Sequence, residues 1–179
     1  EEALRYLYRF ADMERGIGFS DRSPREFTFD RLEYLLESLG NPQRELRFVH
    51  VAGTKGKGST AAMIASIAQA AGLRSGLYTQ PHLHSFRERI MVDLKPIDRS
   101  AFVGLIARVA EAVERLDRNS PALGSPTTFE VATVAAIDHF ARSNVDLAVM
   151  EVGIGGTWDA TNVITPLVSV ITSLGLEHT

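Results

Sequence analysis

A short apolar run, Val49-His50-Val51-Ala52, leads directly into Gly53-Thr54-Lys55-Gly56-Lys57-Gly58-Ser59-Thr60. A strand, a glycine-rich loop and a helix start, in that order, is what binding a nucleotide phosphate requires. Gly53, Gly56 and Gly58 let the backbone turn sharply and approach an anion closely. Several backbone N–H groups can then converge on that anion. The helix opening near Ser59 adds its positive end. Lys57 supplies a full charge, and a hydroxyl of Ser59 or Thr60 is placed to face a phosphate or a magnesium ion. The general phosphate-loop pattern asks for a glycine five residues before Gly56 and a Ser or Thr directly after Lys57. Val51 and Gly58 stand there instead, so what remains is a compressed variant, Gly-Thr-x-Gly-Lys-Gly-Ser. The same residues also fit a glycine-rich turn that holds no ligand.

Alternating elements surround this loop. Helices are expected over Ala3 to Met13 and from Phe29 to Leu39, where Leu32, Leu35 and Leu36 repeat at helical spacing. The second stops at Gly40-Asn41-Pro42. An alanine-rich helix is expected from Ser59 to Ala71. Asp98 caps another over Arg99 to Asp117, and Thr127 with Glu130 forms a capping box for one reaching about Arg142. Buried strands are expected at Phe48 to Ala52, Ser75 to Tyr78, Leu147 to Val152 and Leu167 to Thr172, with a further short one at Ile90 to Val92. Continuous apolar strands alternating with helices give an α/β fold, a mostly parallel sheet covered by helices on both faces. Ligands of such sheets gather beyond the carboxyl ends of the strands. Gly53 to Ser59, Thr79 to His82, Glu151 and His178 all fall there.

Glu151 is the leading metal candidate on the residues alone. It ends a buried strand beside Gly153, Gly155 and Gly156, and a buried carboxylate is costly unless it is paired or bound to a cation. The alternative is a Glu that caps a loop N–H. His84 is expected in solvent.

Three further segments join the loop in one pattern: Tyr78-Thr79-Gln80-Pro81-His82-Leu83 with Arg87-Glu88-Arg89-Ile90, Glu151-Val152-Gly153-Ile154-Gly155-Gly156 with Asp159-Ala160-Thr161-Asn162, and Ile171-Thr172-Ser173 with His178. In this order they resemble the Mur ligase superfamily, and within it folylpolyglutamate synthase/dihydrofolate synthase. The resemblance implies a P-loop NTPase-like Mur ligase central domain. It implies ATP and Mg2+ as cofactors, with ATP held by Gly53, Thr54, Lys55, Gly56, Lys57, Gly58 and Ser59. It implies Lys57, Glu151 and His178 as the catalytic set and Gln80, Glu151 and His178 at the metal. Thr127, Thr128, Phe129, Glu130, Trp158, Asp159 and Ala160 fall on the pterin side. Thr127 and Glu130 are equally explained by the capping box, Phe129 by the core, and Asp159 by a turn.

The chain departs from the family at four places. Gln80 replaces a usual Ser, and either offers its oxygen to the metal or only shapes the loop. Lys55 replaces Asn, Thr157-Trp158 replaces an Arg-Leu or Arg-Phe pair, and Glu177 replaces Asp.

The implied reaction is amide ligation: ATP phosphorylates a carboxylate of a folate or of dihydropteroate, and the amine of glutamate displaces the phosphate. Two other readings stay open, a different Mur-type amino-acid ligase and a non-catalytic nucleotide-binding homologue. Net charge is −3, which gives no basic field for nucleic acid. No apolar run reaches the roughly 18 residues of a membrane span. The absence of cysteine excludes thiol catalysis and fits a reducing, cytoplasmic setting. Small-molecule substrates, no nucleic acid, no membrane and a monomer when full length are therefore expected. Family members are more than twice as long, so residues 1–179 are expected to be the N-terminal part of the ATP-binding domain. The glutamate-ligase domain would lie elsewhere, and this portion alone would be inactive.

Overall fold

The computed structural model describes residues 1–10 and 29–175. The outer part of the first expected helix, Ala11 to Met13, and His178 lie outside the described residues.

Six strands form one sheet: β1 (Phe48–Ala52), β2 (Ser75–Tyr78), β3 (Ile90–Val92), β4 (Lys95–Pro96), β5 (Leu147–Glu151) and β6 (Val168–Ile171). Their order across the sheet is β4-β3-β2-β5-β1-β6. β2, β5, β1 and β6 run parallel, while β3 and β4 are antiparallel. The expected mostly parallel sheet is therefore right, with an antiparallel edge whose last strand, β4, the sequence reading left out. The chain leaves β1 toward β2 on one side and leaves β5 toward β6 on the other. A switch point thus lies between the carboxyl ends of β1 and β5, where open α/β sheets bind ligands.

One face of the sheet carries α3 (Lys57–Ala70). Its Ala61 and Ala65 meet Val49, Val51, Leu77 and Val149, and these small side chains let helix and sheet approach closely. The other face carries α5 (Thr128–Arg142), which is buried along nearly its whole circumference. Its buried polar side chains are hydrogen-bonded, Thr133 to Tyr78 and Asp138 to Arg108, as burial requires. It lies under α4 (Arg99–Asn119), α1 (Glu2–Leu7) and α2 (Asp30–Ser38) in one continuous core. Each large side chain fully buried there, such as Ile137 or Phe140, contributes about 1.5–3 kcal/mol.

Local signals set several ends. The Thr127–Glu130 capping box forms, with Thr127 Oγ1 accepting from Glu130 N at 3.1 Å and Glu130 Oε2 accepting from Thr127 N at 2.5 Å. Asp98 Oδ1 accepts from Ala101 N at 2.8 Å. α2 ends where Gly40 and Asn41 take positive φ, and Asn41 N donates back to Leu36 O.

Three expectations need correction. The first helix, expected to run on to Met13, ends at Leu7, and residues 8–10 form a turn and a bend. α3 starts at Lys57, not Ser59, because Gly56 takes a left-handed conformation (φ 83°) and itself forms the helix start. β6 is not buried among the described residues: Leu167, Val168, Ile171 and Leu174 are 54–76% exposed, so sheet coverage stops short of this edge.

Candidate active site

Two loops meet at the switch point. The first follows β1. Gly53 has φ 131°, and a Cβ there would sit 2.0 Å from Thr172 Oγ1, so only glycine fits. The loop is pinned to the chain that follows β6. Thr54 N donates to Ser173 O at 2.8 Å, and the Thr54 hydroxyl accepts from Gly175 N at 3.0 Å. The Thr54 hydroxyl is thus spent on tying the loop to Gly175. Gly56 and Ser59 are exposed. The Lys57 ammonium reaches back to Thr54 O at 3.4 Å, which holds a positive charge against the loop.

The second loop follows β5, whose last residue, Glu151, is 4% exposed. Its Oε2 accepts from Gln80 N at 2.9 Å. Burial pushes the Glu151 carboxyl up from its ordinary value, against the Gln80 N–H, the Lys57 charge and the Gly58 N–H, which all favour the ionised form. The carboxylate therefore sits at the N-terminus of α3, beside the phosphate loop. The Gln80 side-chain oxygen is buried without a hydrogen-bond partner, on a residue whose N–H bonds that carboxylate and whose Nε2 donates to Glu151 O at 3.5 Å. An unpartnered neutral oxygen and a desolvated carboxylate are the donors a hard cation takes. Magnesium needs only one or two protein oxygens when phosphates and water complete its shell, so these residues fit it. Among the described residues no group of three His, Cys, Asp or Glu gathers as a metal centre, here or elsewhere.

The residues expected on the pterin side divide into two sorts. Thr127, Thr128 and Glu130 are buried and their polar atoms are used inside the fold. Thr128 Oγ1 donates to Leu7 O at 3.1 Å. Glu130 Oε1 accepts from Arg31 Nη2 at 2.7 Å and from Nε at 3.1 Å. Arg31 also donates to Leu123 O. Ala160 is buried as well, and Asp159 accepts from Gly153 N, Ile154 N and Thr161 N at 2.9 Å each, and from the Thr161 hydroxyl. Phe129 and Trp158 present surface instead. Phe129 is half-buried and stacks on Tyr78 with ring centroids 6.3 Å apart. Trp158 is 68% exposed and lies parallel to Phe29 at 6.2 Å. Gly153 is the meeting point: a Cβ there would fall 2.9 Å from Phe129, 2.9 Å from Asp159 Oδ2 and 3.1 Å from Gln80 Nε2.

Sequence reasoning missed Arg31, His50 and Thr161. His50 Nε2 lies 2.7 Å from Thr161 Oγ1. One signal was available: an imidazole inside an apolar strand must find a partner. His82 accepts from Arg89 Nε at 2.9 Å and helps order its loop, whereas His84 stands in solvent, as expected.

No protein-family model matches the chain. Individual proteins do. The chain is 49% identical over 148 residues to folylpolyglutamate synthase of Lacticaseibacillus casei, covering 83% of this chain and 34% of that protein. It is 43% identical over 149 residues to dihydrofolate synthase/folylpolyglutamate synthase of Bacillus subtilis, with the same two coverages. Among solved structures, the apo form of the L. casei enzyme superposes with a TM-score of 0.88 at 42% identity, over 99% of this chain and 40% of that one. A complex of folylpolyglutamate synthase with AMPPCP and folate gives 0.89 at 43% identity, over 99% and 41%. The chain is a homologue of the folylpolyglutamate synthases. It spans about a third of the length of the curated relatives it matches. The mostly parallel sheet and its covering helices match the fold of the corresponding 38–40% of those synthase chains. No helix among the described residues is long and apolar enough to cross a membrane.

Proposed function

We propose that this chain is the ATP-binding part of a cytoplasmic ligase that joins L-glutamate to a folate, to dihydropteroate, or to both, through an acyl phosphate. One observation carries the reading. The glycine loop and Lys57 face the Glu151 carboxylate across the β1–β5 switch point, in a chain 43% identical to a synthase solved with AMPPCP and folate.

In this reading the N–H groups of residues 53–59 and the start of α3 hold the nucleotide phosphates. Lys57 leaves Thr54 O and meets the charge that builds on the transferred phosphoryl group. Lys55, exposed beside it, adds a second cation. Glu151 and Gln80, with His178, hold magnesium, which when bound neutralises phosphate charge. Phe129 and Trp158 border the flat acceptor ring. Thr127, Thr128, Glu130, Asp159 and Ala160 shape the backbone around it.

The acceptor carboxylate attacks the γ-phosphorus and ADP leaves. The glutamate amine then attacks the acyl carbon and phosphate leaves, its proton passing to solvent. No protein nucleophile is needed, in keeping with a chain that has no cysteine.

The test is acceptor-dependent ATP hydrolysis by an intact enzyme carrying this chain. Dihydropteroate or a reduced folate, with glutamate, should stimulate it. Lys57→Ala should remove the stimulation, since losing one such charge-stabilising donor costs about 2.7–4 kcal/mol. Stimulation only by a UDP-linked precursor would assign a different Mur-type ligase, and none by any acceptor would leave a nucleotide-binding homologue.

A further inference from the structure

β1 and the 153–161 segment are tied by a chain of side chains that no phosphate or metal contact requires. His50 lies on β1, three residues before Gly53, on the sheet face that carries α5. Its Nε2 is 2.7 Å from Thr161 Oγ1, and Thr161 Oγ1 in turn bonds Asp159 Oδ1. Asp159 Oδ2 accepts from both Gly153 N and Ile154 N at 2.9 Å. All three side chains are buried.

The direction of each bond follows from donor counts. Four donors converge on the Asp159 carboxylate, two on each oxygen, which fills its acceptor sites. The single hydroxyl proton of Thr161 is therefore spent on Asp159. Thr161 can only accept from His50, so His50 must carry its proton on Nε2. Burial lowers the His50 pKa and so favours the neutral ring, against the opposing pull of the Asp159 charge.

We infer that His50 is a positioning residue: through Thr161 and Asp159 it sets the loop that follows Glu151, from the same strand that carries the phosphate loop. The two halves of the site are thereby held in one register before any ligand arrives. For the acceptor this rests on the proposed ligase function; for the relay itself it does not.

The test has two arms. In ligand-free, histidine-15N-labelled intact protein, the His50 ring should show the neutral Nε2–H tautomer, and Thr161→Val should speed exchange of the Gly153 and Ile154 amides about tenfold. Amides of β2 should be unaffected. An Nδ1–H tautomer, or unchanged exchange, overturns the inference. In the kinetic arm, His50→Leu and Thr161→Val should each raise KM for the folate acceptor about tenfold while KM for ATP stays within about twofold. The double variant should be no worse than either single one. His50→Gln and Thr161→Ser, which keep a donor and a hydroxyl, should restore most of the loss. Equal effects of Leu and Gln, or additive losses, would reduce His50 to packing. If no folate or pteroate acceptor supports turnover, the proposed function fails while the first arm still decides the relay.

Discussion

Gly58 stands directly against Glu151: a Cβ on Gly58 would lie 3.3 Å from Glu151 Oε2 and 3.4 Å from Oε1. A glycine in the first turn of a helix costs about 0.5–1 kcal/mol relative to alanine. That cost is offset by room for a carboxylate at the helix start. Gly58→Ala should therefore leave the fold as stable as before, within about 1 kcal/mol. It should weaken magnesium-nucleotide binding about tenfold by displacing the carboxylate. Calorimetric titration with AMPPCP, with and without magnesium, checks this. Wild-type affinity would show that the carboxylate moves aside freely.

Glu151→Gln should separate stability from function. Burial raises the Glu151 pKa in the folded state. Such a group adds stability that is fully present below its unfolded value and lost as pH rises through the folded value. At pH 7 the ionised carboxylate thus costs the ligand-free fold. The glutamine variant should melt higher than wild type at pH 7, the gap closing toward pH 4, and should lose most of its response to magnesium. Melts across that pH range read the first effect. A variant less stable at pH 7 would mean that the Gln80 and Gly58 N–H groups outweigh desolvation.

Gln80 is expected to act through its unpartnered oxygen. Gln80→Ser keeps a neutral oxygen donor and should keep activity. Gln80→Leu, of similar size with no oxygen, should raise the magnesium requirement several-fold, less than Glu151→Gln does, because water can take the place of a neutral ligand. Initial rates against magnesium concentration at saturating ATP distinguish them. Superimposed curves for wild type and the Leu variant would leave Gln80 with loop shape alone.

The buried pair Arg31–Glu130, 2.7 Å apart with both side chains no more than 5% exposed, should matter for the fold. Arg31→Ala strands a buried carboxylate and the Leu123 carbonyl, and should cost about 3–5 kcal/mol. Denaturant unfolding measures it. A loss under about 1 kcal/mol would mean that solvent reaches the pair.

What could be read from sequence was what neighbouring residues settle among themselves. The Thr127–Glu130 capping box, the Asp98 cap, the Gly40-Asn41 stop and the glycine loop after β1 all depend on groups within a few positions, so their chemistry is written in short patterns. The strand periods likewise placed Glu151, Gln80 and the loop at one end of the sheet. Tertiary structure alone decided how distant groups are paired. Arg31 with Glu130, His50 with Thr161 and Gly58 with Glu151 lie far apart in the chain, and nothing local names the partner. The antiparallel β3–β4 edge is of this kind too, since two or three residues carry no period. So is the division of the residues expected on the pterin side. In sequence the capping box and a turn already account for Thr127 and for one oxygen each of Glu130 and Asp159, but Thr128 and the second oxygens of Glu130 and Asp159 look as ligand-ready as Phe129 and Trp158. Only packing shows that their donors and acceptors are already taken by the fold, because a buried polar group must be satisfied by whatever the fold brings near it.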